Sequence, residues 1–387
     1  MDFRLTEEQQ MLQDSARRLL EADCALDKRG PATAAGGFDA GHWASFAEMG
    51  WFGILVPEEL GGIGFTAIEA AILMEEVGRT LCVEPLWAVA FQAVPTIVAA
   101  KDAAKAEALL PAVVEGTLKP VLAHGEDDAG GVLEWVRTTA TAAAEGWTLT
   151  GTKSLVVGGN VADCFIVSAR TAGAPGDAEG ITLFVVPKDA PGLTATPVRL
   201  VDNRWAVHLD LTDVAVTQAD VLGTVGGGLA ALREGNVAAT VTLCAEALGV
   251  MDRALWTTRD YLLTRKQFGV TLSTFQSLQH RMSDMLMELE LSRCMVYRAL
   301  GHLDAAAEVR AAALSSMKYQ VGTSGKFVCG QGIQLHGGIG VTEEYSIGHY
   351  YKRMVLIEYA LGNSHQHLQH LARREQAREE NLLTHLS

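Results

Sequence analysis

Val237, Val241, Cys244, Leu248, Met251, Leu255 and Leu262 recur almost without a break at helical spacings of three and four, which fixes one long amphipathic helix after the Gly226–Gly228 turn. A helix that long cannot bury its own stripe, so it needs helical partners. Phe275 to Leu300 supplies a second amphipathic run, and residues 224–387 are expected to form a bundle. The helical period also governs residues 1–119. There Thr6 with Gln9 three residues on reads as a capping box, Ile68 to Val77 suits a buried helix, and VPEELGGIGF (Val56 to Phe65) is a glycine turn. Between these stretches, residues 120–223 carry short β-rich runs, WTLTG, CFIVSAR, ITLFVVP and HLDLTDVAV, punctuated by Gly, Pro and Asp. The expected fold class is α+β: an N-terminal helical domain (1–119), a middle, mainly antiparallel β domain (120–223) and a C-terminal four-helix bundle (224–387).

Charge narrows the function. Over 387 residues the formal net charge is −15, which repels a polyphosphate backbone and excludes a general nucleic-acid binder. Small phosphorylated molecules remain open, because a few arginines and backbone amides make a local anion site. Cys24, Cys82, Cys164, Cys244, Cys294 and Cys329 stand singly with no C-x-x-C, so a reduced, cytoplasmic setting and no metal site are expected. MDFRLTEEQQ is charged where a signal peptide is apolar, and the longest apolar stretch, Trp87 to Ala100, contains Gln92 and Pro95. It is too short to span a bilayer.

Two segments carry candidate chemistry. In RKQFG (Arg265 to Gly269), a guanidinium beside a glycine turn can grip a pyrophosphate while an aromatic covers a flat ring; the alternative is a basic helix end over a buried Phe. In QLHGGIG (Gln334 to Gly340), glycines let a backbone approach a ligand and the glutamine amide both donates and accepts; the alternative is an ordinary interhelical loop. His336 there could meet a ribose or a phosphate, or simply bond the backbone. His365, His367 and His370 lack a carboxylate or sulfur partner on their face, which argues against a metal patch. Arg281 and Arg293 are expected on solvated or intersubunit helix faces.

Taken together with PEELGGIG (Pro57 to Gly64), GTKSLVVGGNVAD (Gly151 to Asp163), FQSLQHRMSDM and QLHGGIGVTEEY, these segments resemble the acyl-CoA dehydrogenase family in order and spacing over nearly the whole chain. HYYKRMVLIEYALG is more similar to the branch that handles sterol and other bulky acyl-CoA thioesters, which includes many α2β2 enzymes. The resemblance implies a flavoprotein oxidoreductase of lipid or steroid catabolism that uses FAD, an acyl-CoA substrate and an electron-transfer acceptor. It implies a homo- or hetero-tetramer, with a second dehydrogenase-like subunit in the latter case. By position, Arg265, Gln267, Phe268, Gln334, Gly337 and Gly338 would hold the ADP half of a neighbouring subunit's FAD.

The family reaction needs a carboxylate over the substrate's Cα. At the position that the resemblance gives for it stands Leu361, and at the alternative position on the long helix stands Ala239. Glu358 is three residues from Leu361, roughly 5 Å if the helix continues, and is the candidate catalytic base; the competing role is an ion pair with Lys352 or Arg353. Glu246, seven residues past Ala239, lies about 10 Å away and suits a structural role. AHGEDDAGG (Ala123 to Gly131) replaces the family's flavin-contacting segment, and Leu155 and Val157 replace a tryptophan and a hydroxyl residue. The resemblance therefore implies either an active dehydrogenase with a displaced base or a non-catalytic, FAD-clamping subunit.

Overall fold

The computed structural model describes residues 4–26, 28–29 and 36–386. Among the described residues, five α-helices come first: α1 (Glu7–Asp23), α2 (Ala40–Glu48), α3 (Ala67–Thr80), α4 (Val94–Ala99) and α5 (Ala103–Val114). Eight strands follow: β1 (Pro120–Ala123), β2 (Thr139–Ala143), β3 (Gly146–Val157), β4 (Cys164–Arg170), β5 (Ile181–Pro187), β6 (Leu193–Arg199), β7 (Trp205–Val216) and β8 (Val221–Leu222). The chain then returns to helix with α6 (Gly228–Thr264), α7 (Gln276–Leu300), α8 (Ala307–His336), α9 (Ser346–Tyr359) and α10 (Ser364–Leu386). A small hairpin, β9 (Lys266–Gln267) with β10 (Val270–Thr271), separates α6 from α7. This is the helical, β, helical order of the α+β reading. Contacts group it into two compact units, Met1–Glu21 with Ala71–Leu81 and Leu243–Ser387, and Ala22–Ala70 with Cys82–Thr242.

In the unit built on Cys82–Thr242, the sheet runs β6-β7-β3-β2-β4-β5-β8, with β1 beside β4. Most pairs are antiparallel; β1 and β4 are parallel. CFIVSAR is buried at every residue and ITLFVVP at nearly every one, so these strands read as continuous apolar runs because both faces are covered. The apolar stretch from Trp87 is wound as a π-helical turn, in which the Val94 N–H donates to Val89 O. Pro95 follows at once, inside a continuous run of helical residues, so the bond its missing N–H would have made is absent where the π turn passes into α4. Folding also joins residues that spacing keeps apart: ligand atoms of Cys24, His42 and Glu84 lie within 4.8 Å of one another.

The other unit begins with the Thr6 capping box. The Thr6 N–H donates to Gln9 Oε1 at 3.0 Å and the Gln9 N–H to Thr6 Oγ1 at 3.2 Å. The α6 stripe is buried from Val241 to Leu255, but so is the rest of the helix surface between Leu243 and Asp252, including Glu246. Small residues permit this burial: a Cβ on Gly78 of α3 would stand 2.0 Å from Glu246 O, and one on Gly249 of α6 would stand 1.9 Å from Glu75 O. α8 packs against α7, α9 and α10. Arg293, expected on a solvated or intersubunit face, keeps 20% of its side chain exposed while its guanidinium donates to Glu75 at 2.9 and 3.0 Å. Among the described residues, no helix is long and apolar enough to cross a membrane.

Candidate functional site

RKQFG is the turn of the β9–β10 hairpin, with Gln267 opposite Val270 and Lys266 opposite Thr271. The two turn residues, Phe268 (φ 55°) and Gly269 (φ 81°), are both left-handed, as a two-residue hairpin of this hand requires. Glycine adopts that conformation freely; phenylalanine does not. Phe268 is nonetheless there, 91% exposed and edge-on to Phe275 at 6.2 Å, so the alternative of a buried Phe fails. An aromatic held in a costly backbone conformation and left bare points to a ligand or partner. Arg265 is exposed, and among the described residues its guanidinium has no hydrogen-bonding or ion-pair partner. Gln267 folds its amide onto Lys266 O at 2.8 Å.

The second segment lies at the end of α8. Gln334 is still helical, exposed and unpartnered among the described residues, and Gly337 (φ 65°) terminates the helix. No atom lies within 4 Å of a Cβ built on Gly337 or Gly338, so the space over both is open. His336 takes the backbone role: its Nδ1 is 2.7 Å from Gly332 O, and burial lowers its pKa. Its ring stacks on Tyr261 at 4.4 Å, and the Tyr261 hydroxyl reaches His336 O at 3.4 Å. Tyr261 is one turn before Arg265, so this stack ties the end of α6 to the end of α8 and brings the two glycine-containing segments to one region.

Leu361, where the resemblance places a base, lies just past the end of α9. The helix stops at Tyr359, Ala360 is extended (φ −68°, ψ 135°) and Leu361 turns left-handed (φ 57°). The helical extrapolation from Glu358 to Leu361 therefore fails. Glu358 is 2% exposed, and its carboxylate accepts from Lys326 Nζ at 3.0 Å, the Ser364 hydroxyl at 2.8 Å and the Ser364 N–H at 3.2 Å. The ion-pair partner is thus Lys326, on α8, and not Lys352 or Arg353: Lys352 pairs with Glu343, and Arg353 pairs with Glu246. Gly322 makes the room, since a Cβ there would stand 1.9 Å from Glu358 Oε2. Glu246 is committed as well, bound bidentately by Arg353 at 2.7 and 2.6 Å. Ala239 is fully buried.

Sequence reasoning missed Lys318. Its ammonium, wholly buried, donates to Ile357 O, Glu358 O and Gly362 O at 2.9 Å each, fastening both sides of the Leu361 turn. Burial lowers its pKa, while Cys244 and Glu358 oppose the shift. His367 adds a bond from Nε2 to Leu361 O at 3.0 Å, and burial takes its pKa to about 4. A lysine between Met317 and Tyr319 on a long helix gives no sequence signal of this role, because its three partners lie about 40 residues on.

AHGEDDAGG carries a buried charge cluster in the β-containing unit. Glu126 accepts from the Arg137 and Thr138 N–H groups, the Thr138 hydroxyl and Lys153 Nζ, the last at 2.7 Å. Burial would raise its pKa, but Lys153 and these donors outweigh that and hold the carboxyl below its ordinary value. Burial takes Lys153 down to about 8 against the pull of Glu126. It also takes His124, bonded to Ser168 Oγ at 2.9 Å, to about 3, with the Lys153 charge acting in the same direction. On β3, Leu155 is left-handed (φ 50°) and 51% exposed at an irregularity in the β3–β7 register; Val157 is half-buried.

Residues 6–117, 122–214 and 226–376 match the N-terminal, middle and C-terminal domains of acyl-CoA dehydrogenase, respectively. Acyl-CoA dehydrogenase FadE12 of Mycobacterium tuberculosis is 30% identical over 310 residues, covering 79% of this chain and 80% of that protein. Among solved structures, the Tcur3481–Tcur3483 steroid acyl-CoA dehydrogenase variant is 31% identical with a TM-score of 0.84, over 96% of this chain and 99% of that one. The ChsE4–ChsE5 complex from Mycobacterium tuberculosis is 25% identical with a TM-score of 0.86, over 97% and 99% of the two chains. PigA with FAD and proline is 26% identical with a TM-score of 0.89, over 98% and 100%. With its three segments matched in order along nearly the full length, the chain belongs to the acyl-CoA dehydrogenase family of flavoprotein oxidoreductases.

Proposed function

We propose that this chain is the FAD-clamping, base-free subunit of an α2β2 acyl-CoA dehydrogenase. The assembly would remove a proton from Cα and a hydride from Cβ of an acyl thioester, leaving a 2-enoyl-CoA. One observation carries the reading. Leu361 and Ala239 occupy the two positions expected for a base, while the neighbouring carboxylates, Glu358 and Glu246, are each buried in an ion pair with a lysine or an arginine. The proton acceptor then comes from the partner chain.

FAD, when bound, supplies the redox capacity. The residues present suit its ADP half. Arg265 offers a free guanidinium fork for a pyrophosphate, and Gln334 an unpartnered amide. Gly337 and Gly338 leave their backbone open to close approach, Phe268 presents a bare ring, and Gln267 lies beside it on the hairpin. Leu286, Met287 and Leu291 of α7 are 40%, 57% and 52% exposed, an apolar face that suits a subunit interface. The relatives support an acyl-CoA, with steroid thioesters among the candidates, and reoxidation by an electron-transfer acceptor. The domains of this subunit would be 1–119, 120–223 and 224–387.

Coexpression with a second, glutamate-bearing acyl-CoA dehydrogenase-like chain tests the reading. A yellow complex with fewer flavins than chains is expected; one flavin per chain, with turnover by this chain alone, overturns it. Burial of Glu358 keeps a second reading open, in which the isolated chain is a homotetrameric dehydrogenase and this residue is its base. That reading requires the isolated chain to turn over a thioester and Glu358→Gln to abolish it. Activity unchanged by the substitution excludes Glu358.

A further inference from the structure

We propose that Cys24, His42 and Glu84, whose ligand atoms lie within 4.8 Å of one another, form a structural site for a zinc-type divalent ion, with Cys82, bonded to Glu84, moving in as the fourth donor. Three chain segments deliver the donors: the residue after α1, the first turn of α2, and the turn following α3. Cys24 Sγ is 3.8 Å from His42 Nδ1, which is 2.7 Å from Glu84 Oε1. Glu84 Oε2 accepts from the Cys82 thiol at 2.8 Å.

Tetrahedral bonds of about 2.0 to 2.3 Å set ligand atoms roughly 3.5 Å apart. The Cys24–His42 separation is already near that value. The two contacts of Glu84 are hydrogen-bond lengths, so ion entry replaces two hydrogen bonds with coordination and asks the carboxylate to back away by less than an ångström from each partner. Two sulfurs, an imidazole nitrogen and a carboxylate oxygen are the borderline-soft set that zinc prefers. On binding, each thiol forms a metal–sulfur bond and releases its proton to solvent; no electron is transferred. Cys24, Cys82 and Glu84 are 2%, 0% and 5% exposed, whereas the side chain of His42 is 21% exposed and gives the ion its entry edge. Arg204 Nη2 donates to Cys82 O at 2.6 Å and holds the Cys82–Glu84 turn in place.

The alternative is a metal-free thiol, imidazole and carboxylate network, and the two are separable in the full-length protein. Protein purified in reductant without chelator is assayed for zinc, then stripped and reloaded with Co²⁺. Stoichiometric zinc is expected, together with a thiolate-to-cobalt charge-transfer band and the ligand-field bands of a tetrahedral site. The bands should vanish in Cys24→Ser and Cys82→Ser, shift in His42→Asn and persist in Cys294→Ser, whose cysteine is exposed. Should the cysteine variants misfold, wild-type protein decides: zinc at 100 times its Kd should slow alkylation of Cys24 and Cys82 about 100-fold. The proposal is overturned by wild-type protein that takes up neither ion, by bands that survive both cysteine substitutions, by alkylation indifferent to zinc, or by a Cys24–Cys82 disulfide in reduced protein.

Discussion

Lowering the pH should destabilise this protein through His124. The half-buried imidazole is desolvated next to Lys153, and its pKa falls from 6.5 to about 3, so the folded state keeps it neutral where the unfolded chain charges it. The sign follows from that difference. Below pH 6.5 the unfolded state binds more protons, so the contribution is fully present above pH 6.5 and is lost as the pH falls towards about 3. Each unit of separation is worth about 1.4 kcal/mol, which gives a loss of about 2 kcal/mol at pH 5 and about 4 kcal/mol if the titration were carried to pH 3. The measurement is urea unfolding at pH 7, 6 and 5, at fixed protein concentration, for wild type and His124→Gln. Wild type should lose about 2 kcal/mol more than the variant between pH 7 and 5. His367, with a pKa of about 4, contributes in the same window but is common to both proteins and cancels. Stopping at pH 5 also keeps the lowered Glu126 carboxyl ionised. Equal losses in wild type and variant would show that His124 is solvated or charged in the fold, and the argument from burial would fail.

Lys318→Met should cost about 3 kcal/mol, because three buried carbonyls lose a charged donor and only part of that loss is offset by relief of ammonium burial. Thermal unfolding reads this, and a change below about 1 kcal/mol refutes the carbonyl-clamp role. Arg265→Ala should weaken FAD retention by about 2 to 5 kcal/mol while leaving the circular dichroism spectrum and melting of the flavin-free protein unchanged, since the guanidinium touches nothing else in the described chain. Equal flavin retention in dialysis removes Arg265 from the clamp.

The sequence determined more of the fold than of the chemistry. Period and spacing are local properties, so the Thr6 capping box, the α6 stripe and the strands CFIVSAR and ITLFVVP were legible from the chain alone. RKQFG and QLHGGIG were legible as turns, because each segment is contiguous and its glycines mark it. The absence of an acid at Leu361 and Ala239 was a matter of counting. What the acids nearby do was not. Glu358 was expected to pair with a neighbour on its own helix, but α9 packs on α8, and Lys326 reaches it across the glycine-lined contact. The same is true of Glu246 with Arg353, Lys318 with the Leu361 turn, and Cys24 with His42 and Glu84. Each joins residues that are distant in sequence, and a side chain's partner is set by which surfaces meet when apolar faces are buried. Local periodicity carries the demand for burial, but only the packed tertiary structure decides which charge or thiol is carried inside with it, and against what.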